Sequence, residues 1–108
     1  MIQKEQTKNG EPGFLVHDRG DSVGVAVADL GPQTKATGRL LSGEELPKVT
    51  LHDAVPLGHK LALRDIARGE RVIKYGQVIG EARSDIHTGD HVHVHNIRGL
   101  RWVKKESK

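Results

Sequence analysis

The sequence predicts an all-β domain built from short strands and folded-over hairpins, and three observations point there. Apolar residues are scarce, 35% of the chain with only 3% aromatic, so the core has to be assembled from Val, Ile, Leu and Ala on short elements rather than on long helices. Where apolar residues cluster they alternate. Val23, Val25 and Val27 fall on one side and Gly24, Ala26 and Ala28 on the other, the two-residue period of a strand. The third observation is an internal echo: Asp65-Ile66-Ala67-Arg68-Gly69-Glu70-Arg71-Val72 returns twenty residues later as Asp85-Ile86-His87-Thr88-Gly89-Asp90-His91-Val92. With the Ile plugging a core, the Gly taking a turn geometry closed to other residues and the Val opening the next strand, the echo describes a hairpin that bends back on itself. Two copies are too few for a solenoid.

Taken in order, residues 1–13 are polar, carry Asn9-Gly10 and Pro12-Gly13, show no periodicity and read as a mobile arm. Phe14-Leu15-Val16-His17 is a short strand, and Asp18-Arg19-Gly20-Asp21 has the residues of a tight turn. The alternating strand from Ser22 to Leu30 has an unusually small second face, which permits close approach of another backbone, another subunit or a ligand, or simple tight packing, and Gly31-Pro32 ends it. The polar stretch from Gln33 to Lys48 is expected to vary in conformation, with Arg39-Leu40-Leu41 as its best short strand. Val49-Thr50-Leu51-His52 resumes alternation, Pro56-Leu57-Gly58 breaks it, and Lys60-Leu61-Ala62-Leu63 restores it.

A chain of 108 residues has the size of one domain, and so thin a core is often completed by docking, so an oligomer is expected. The absence of cysteine excludes disulfides and thiolate metal sites. No apolar run approaches the ~20 residues that span a bilayer, and the first six residues lack the apolar stretch of a signal peptide. The protein is therefore expected to be soluble and cytoplasmic, with no membrane contact. Net charge is +3, yet acids and bases are interspersed and Phe14, Tyr75 and Trp102 lie far apart in sequence. No focused basic face with stacking aromatics follows, and nucleic acid is not an expected partner.

The densest chemical signal is His91-Val92-His93-Val94-His95-Asn96. In an extended strand His91, His93 and His95 share one face while Val92 and Val94 point into the core. Three imidazoles on one face suit a divalent metal, acid–base chemistry, anion binding when protonated, or a plain polar surface. Same-face neighbours lie ~6.5–7 Å apart. Nitrogens sharing one ion at ~2.1 Å lie within about 4.2 Å of each other, so two of the three reach an ion readily and all three only under strain. In Pro56-Leu57-Gly58-His59-Lys60, Gly58 lets backbone crowd a ligand, His59 can exchange a proton near neutrality, and Lys60 can neutralise a carboxylate. A solvated turn with incidental charges is the alternative. Ile73-Lys74-Tyr75-Gly76 followed by Val78-Ile79-Gly80 reads as a hairpin, with Tyr75 packing its ring into the core while offering a hydroxyl. No nucleophilic triad and no phosphate-binding loop is legible, Ser22 and Ser84 having no activating pattern beside them.

Gly58-His59-Lys60-Leu61-Ala62-Leu63-Arg64-Asp65-Ile66, Val72-Ile73-Lys74-Tyr75-Gly76, Ile79-Gly80, Asp85-Ile86, Gly89 and the run from His91 to Asn96 closely resemble the small subunit, or N-terminal SAF domain, of the altronate and galactarate dehydratase family. The likeness runs from Phe14 to Trp102. It implies a β-clip fold over residues 14–102, between the arm at 1–13 and a basic tail at 103–108. It also implies a lyase that eliminates a β-substituent from a 2-hydroxy acid and needs a large catalytic (beta) subunit on a separate chain. A divalent metal, iron, would be held mainly by that large subunit, and the isolated small chain would be a homo-oligomer. The opening from Phe14 to Val27 and the closing Arg98-Gly99-Leu100-Arg101-Trp102 look more like the branch that releases sulfite from (2R)-3-sulfolactate, leaving pyruvate, than like the branch that dehydrates sugar acids. On this reading His59 and Lys60 are catalytic, Gly58, Lys74 and Tyr75 bind substrate, and His91, His93 and His95 are the candidate metal ligands. A stand-alone metal or small-ligand binding module and a nucleic-acid-binding protein are the rivals.

Overall fold

The computed structural model describes residues 11–99, so most of the expected arm, Trp102 and the basic tail lie outside the described residues. The described chain is all-β without a helix. Its strands are β1 (Phe14–Val16), β2 (Val23–Ala26), β3 (Lys35–Leu40), β4 (Glu45–Thr50), β5 (Lys60–Ala62), β6 (Arg71–Lys74), β7 (Gln77–Ala82), β8 (His91–Val92) and β9 (Ile97–Gly99). Six form one sheet in the order β4-β3-β1-β2-β5-β8, and three form a second in the order β6-β7-β9. Neighbours run antiparallel except β1 and β3, which are parallel.

The echo read from the sequence is half of a larger regularity. Two further segments adopt the same bend–bridge–turn–strand course, Asp29 to Ala36 and Ala54 to Leu61, making four turns of one design among the described residues. In each turn the second residue is a buried plug (Leu30, Val55, Ile66, Ile86) and the eighth is a second one (Ala36, Leu61, Val72, Val92). The fifth residue has a left-handed backbone: Gly58, Gly69 and Gly89 at φ 86°, 88° and 90°, with Gln33 standing in at φ 67°. Glycine predominates there because a Cβ is disfavoured at positive φ.

The four turns clasp in pairs. Leu30 bridges Val55, and Ile66 bridges Ile86. Within each pair the fifth residue donates its N–H to a carbonyl at the entry to the partner turn: Gly58 to Ala26, Gln33 to Leu51, Gly69 to Ala82 and Gly89 to Ala62. The leading aspartates add a reciprocal clasp, each carboxylate accepting the N–H of the fourth residue opposite. Asp29 takes Leu57 N, Asp85 takes Arg68 N and Asp65 takes Thr88 N, all at 2.9 Å. The missing fourth clasp has a chemical reason. The fourth residue of the first turn is Pro32, which has no N–H to give, and the position facing it is Ala54, which has no carboxylate.

Each clasp centres one hydrophobic cluster. The first gathers Phe14, Val16, Ala26, Leu30, Ala36, Leu40, Leu51, Val55 and Leu61; the second gathers Val23, Ala62, Ile66, Val72, Ala82, Ile86 and Val92. Strands β2 and β5 serve both, because Val23 and Ala62 face the second while Ala26 and Leu61 face the first. The small face of β2 is therefore a core face. A Cβ at Gly24 would touch the Phe14 ring, and one at Gly38 would overlap it, so these two positions admit the fully buried aromatic between strands. Burying that ring contributes about 1.5–3 kcal/mol.

Four expectations need correction. Residues 33–48 are not variable: β3 and β4 form a regular hairpin with a bulge between Ala36 and Gly38, and Leu41 lies exposed beyond its strand. Their polarity reflects a half-exposed hairpin at the edge of the sheet. Val94 does not enter the core but is 71% exposed, because β8 ends at Val92 and the chain turns. Tyr75 is 52% exposed, not packed in the core, because with Gly76 it forms the tip of the β6–β7 hairpin at φ 61° and 70°. Gly13, placed in the arm by sequence, is already tied in, donating to Thr37 O and accepting from Val27 N.

Candidate functional site

His59 closes the second turn just before β5, His91 opens β8, and β5 and β8 are paired in the register Lys60↔Val92 and Leu61↔His91. The pairing brings two distant histidines together. The turn after β8 then swings His93 back onto them. That turn is clamped by Asn96, a buried side chain that accepts from His93 N at 2.9 Å and donates to His91 O at 2.8 Å. Asp53 fixes the start of the strand by accepting His91 N at 3.0 Å.

Local chemistry explains why a histidine can occupy position 59. In the third and fourth turns the sixth residue is an acid whose carboxylate accepts the N–H of the third: Glu70 from Ala67 at 2.9 Å and Asp90 from His87 at 2.8 Å. In the second turn the third residue is Pro56, which has no N–H. The sixth position is released from that duty and presents an imidazole.

The rings converge tightly. His59 Nδ1 and His91 Nε2 share a hydrogen bond of 2.8 Å, and His59 stacks on His93 with centroids 4.3 Å apart and planes 19° from parallel. One ligand nitrogen from each of His59, His91 and His93 can be chosen so that all three lie within 4.8 Å of one another. Among the described residues this is the group of three whose donors meet. His95 reaches His91 with centroids 5.3 Å apart, and His59, read from sequence as a separate motif, takes the third place. Burial foremost, then the charges of His59, His95 and His93, lowers the pKa of His91 below the ordinary imidazole value, with Asp53 opposing. His93 is lowered too, by desolvation and then by His59, Lys60 and His95.

A row of cations extends from this corner. Lys60 is half-buried at the start of β5. Burial and then the positive charge of Lys60 lower the pKa of Lys74, with Asp21 opposing, which places the two ammonium groups within electrostatic reach. Lys74 Nζ sits 4.0 Å from the centroid of the Tyr75 ring, whose other contact is His17 at 3.6 Å between centroids. Asp21, buried in the β1–β2 loop, holds this hairpin tip by accepting Tyr75 N and Gly76 N, each at 3.0 Å. The sequence marked Asp18 to Asp21 as a turn, but a bond across 54 positions leaves no local signal. Gly58, at φ 86°, gives the backbone its turn beside His59 and has open space above it.

A groove of about 700 Å³ lies elsewhere, lined by Phe14, Val16, Leu40, Leu46, Val49 and Leu63 among others. It contains none of the imidazoles. The candidate site is therefore marked by its cluster of titratable groups and not by that groove.

The chain matches known proteins over most of its length. Residues 12–100 match the altronate/galactarate dehydratase SAF domain. A (2R)-sulfolactate sulfo-lyase subunit alpha from Chromohalobacter salexigens is 43% identical over 90 residues, covering 82% of this chain and 96% of that protein. A second alpha subunit of that name, from Paracoccus pantotrophus, is 42% identical over 55 residues, 51% of this chain and 82% of its own. An altronate dehydratase from Escherichia coli is 49% identical over 78 residues, which are 72% of this chain but only 14% of that much longer protein. A domain of this size thus occurs both as a whole small chain and as a fraction of a large one, and by sequence and fold this chain belongs to the altronate/galactarate dehydratase SAF-domain family.

Proposed function

We propose that the chain is the small (alpha) subunit of a two-chain carbon–sulfur lyase that releases sulfite from (2R)-3-sulfolactate and leaves pyruvate. The observation that carries this reading is the near-complete coverage, 96%, of a stand-alone sulfo-lyase alpha subunit, against 14% of an altronate dehydratase. A sugar-acid dehydratase subunit is the second reading, favoured by the higher identity, 49%, over the shared stretch.

In the elimination the carbon bearing the hydroxyl loses its proton and the neighbouring C–S bond breaks, its electron pair leaving with sulfite. The resulting enol tautomerises to pyruvate. The substrate carries two anionic groups, and this chain offers Lys60 and Lys74 to them from one row, with Gly58 and Tyr75 lining the approach. Fixed positive charge at the substrate carboxylate stabilises the developing enolate. His59 stands beside Lys60 at the edge of the chamber and is required for turnover. The divalent metal, iron in this reading, would act as a Lewis acid on the same carboxylate and be held mainly by the large subunit. The partly exposed histidine cluster on this chain fits a chamber whose remaining walls belong to that partner, in the cytoplasm, and the chain alone would self-associate through surfaces the partner otherwise covers.

The test is reconstitution with the large subunit. Sulfite and pyruvate should appear in equal amounts from (2R)-3-sulfolactate, and His59→Ala should lower turnover by about 100-fold or more, the scale of losing a positioned catalytic group or ligand. Water elimination from altronate without sulfite release would move the assignment to the second reading. Elimination by this chain alone would overturn the two-chain proposal.

A further inference from the structure

We propose that His59, His91 and His93 together form a binding site for one borderline divalent transition ion, of the zinc, cobalt or ferrous class, on this chain itself. The inference deepens the lyase reading by giving His59 a role as a ligand. Its bearing on turnover rests on that reading, but the binding does not.

The geometry carries it. One nitrogen from each residue can be chosen so that all three lie within 4.8 Å of one another, and His59 Nδ1 and His91 Nε2 are 2.8 Å apart. Nitrogens bound at ~2.1 Å to one ion lie no more than about 4.2 Å apart, so closing the set asks for ring movements of roughly half an ångström. Such movements are on the scale of ordinary side-chain libration. The scaffold is prepared for it: Asn96 clamps the backbone of both His91 and His93, Asp53 holds His91 N, and β5 pairs with β8 to fix His59 opposite them. A donor set of imidazoles alone selects ions such as zinc, copper, nickel and iron over magnesium or calcium, which prefer oxygen. Three protein ligands leave coordination positions open, the arrangement of an ion that meets a substrate rather than one that only braces a fold. All three residues are only partly buried, which leaves those positions open to solvent, and the positive charge of Lys60 reaches His93.

Co(II) titrated into the metal-free, full-length chain near neutral pH is expected to bind in a one-to-one ratio, to give the visible d–d bands of a four- or five-coordinate ion, and to be displaced by Zn(II). His59→Ala, His91→Ala and His93→Ala should each weaken binding by ~10-fold or more, since losing a ligand costs at least as much as losing a group that only orients one. His95→Ala should leave the affinity unchanged. Amide NMR spectra report whether each variant folds, and an Asn replacement serves where Ala does not. The absence of stoichiometric binding, or binding that depends on His95 and not on His59, overturns the site. A chain that binds Co(II) as described but supports no elimination with its large subunit refutes the lyase reading alone. An active reconstituted enzyme whose small chain takes up no ion refutes this site alone.

Discussion

Ser22 shows how a single side chain holds this molecule together. It is fully buried, its Oγ accepts from Ile73 N at 2.9 Å and from Arg64 Nη2 at 3.1 Å, and its own N–H donates to Ile73 O. One hydroxyl therefore links the six-stranded sheet to β6 of the second sheet. Ser22→Ala leaves the part-buried N–H of Ile73 without its acceptor, and a loss of about 1 kcal/mol or more in unfolding free energy is expected from denaturant titration. An unchanged midpoint would mean that solvent replaces the hydroxyl. In sequence, Ser22 was legible only as a serine lacking any nucleophilic pattern. The reason is physical: its partners are 42 and 51 positions away, and a hydrogen bond at that separation leaves no periodicity. Val94 taught the converse, since alternation was extrapolated past the point where Asn96 turns the chain.

At the scale of elements, the four turns make a specific expectation available. Three aspartate clasps exist, and the fourth is absent from both of its sides at once, Pro32 lacking the donor and Ala54 lacking the acceptor. Ala54→Asp alone should add nothing, because no N–H faces the new carboxylate. Pro32→Ala alone should lose the rigidity of the ring. Combined, they should restore the clasp and show a favourable coupling of about 1 kcal/mol in a double-mutant cycle, the usual scale for a carboxylate on a backbone N–H. Strictly additive effects would show that the pairs of turns are not equivalent. Two of the four turns were readable in sequence because both keep Asp-Ile and Gly at matching places. The other two hide behind Gln33 and Ala54, substitutions that preserve the backbone course but not the letters.

At the scale of the whole molecule, the clasps tie stability to pH. Asp65 lies below its ordinary value of 3.8, chiefly through the N–H and then the hydroxyl of Thr88. Glu70 lies below its ordinary value of 4.5 through Ala67 N–H and then Arg64. A carboxylate whose folded pKa is depressed contributes stability that is complete above its unfolded pKa and is lost as pH falls through the folded one. Midpoints should therefore begin to fall below the ordinary imidazole value, 6.5, where His91 and His93 resist protonation in the fold, and these carboxylates should add a further decline below the ordinary value of Glu70, 4.5. Asp65→Asn and Glu70→Gln together should flatten that decline. A decline just as steep in the double variant would place the acid sensitivity elsewhere. Both groups are exposed, so the effect should also shrink as salt screens the Arg64 contribution.

The sequence by itself determined the class of fold, the strand pairs that alternate, the turns marked by glycine, and the family, because each is written in residues close together along the chain. It also held every histidine of the candidate site, but as a strand of three and a separate turn residue, with nothing local to show that His59 meets His91 and His93. Only the tertiary structure decided which imidazoles meet, since β5 must lie beside β8 before His59 can touch His91. The register between two strands separated by about thirty residues is set by packing of the Ile66–Ile86 clasp and its core, and no local pattern encodes it.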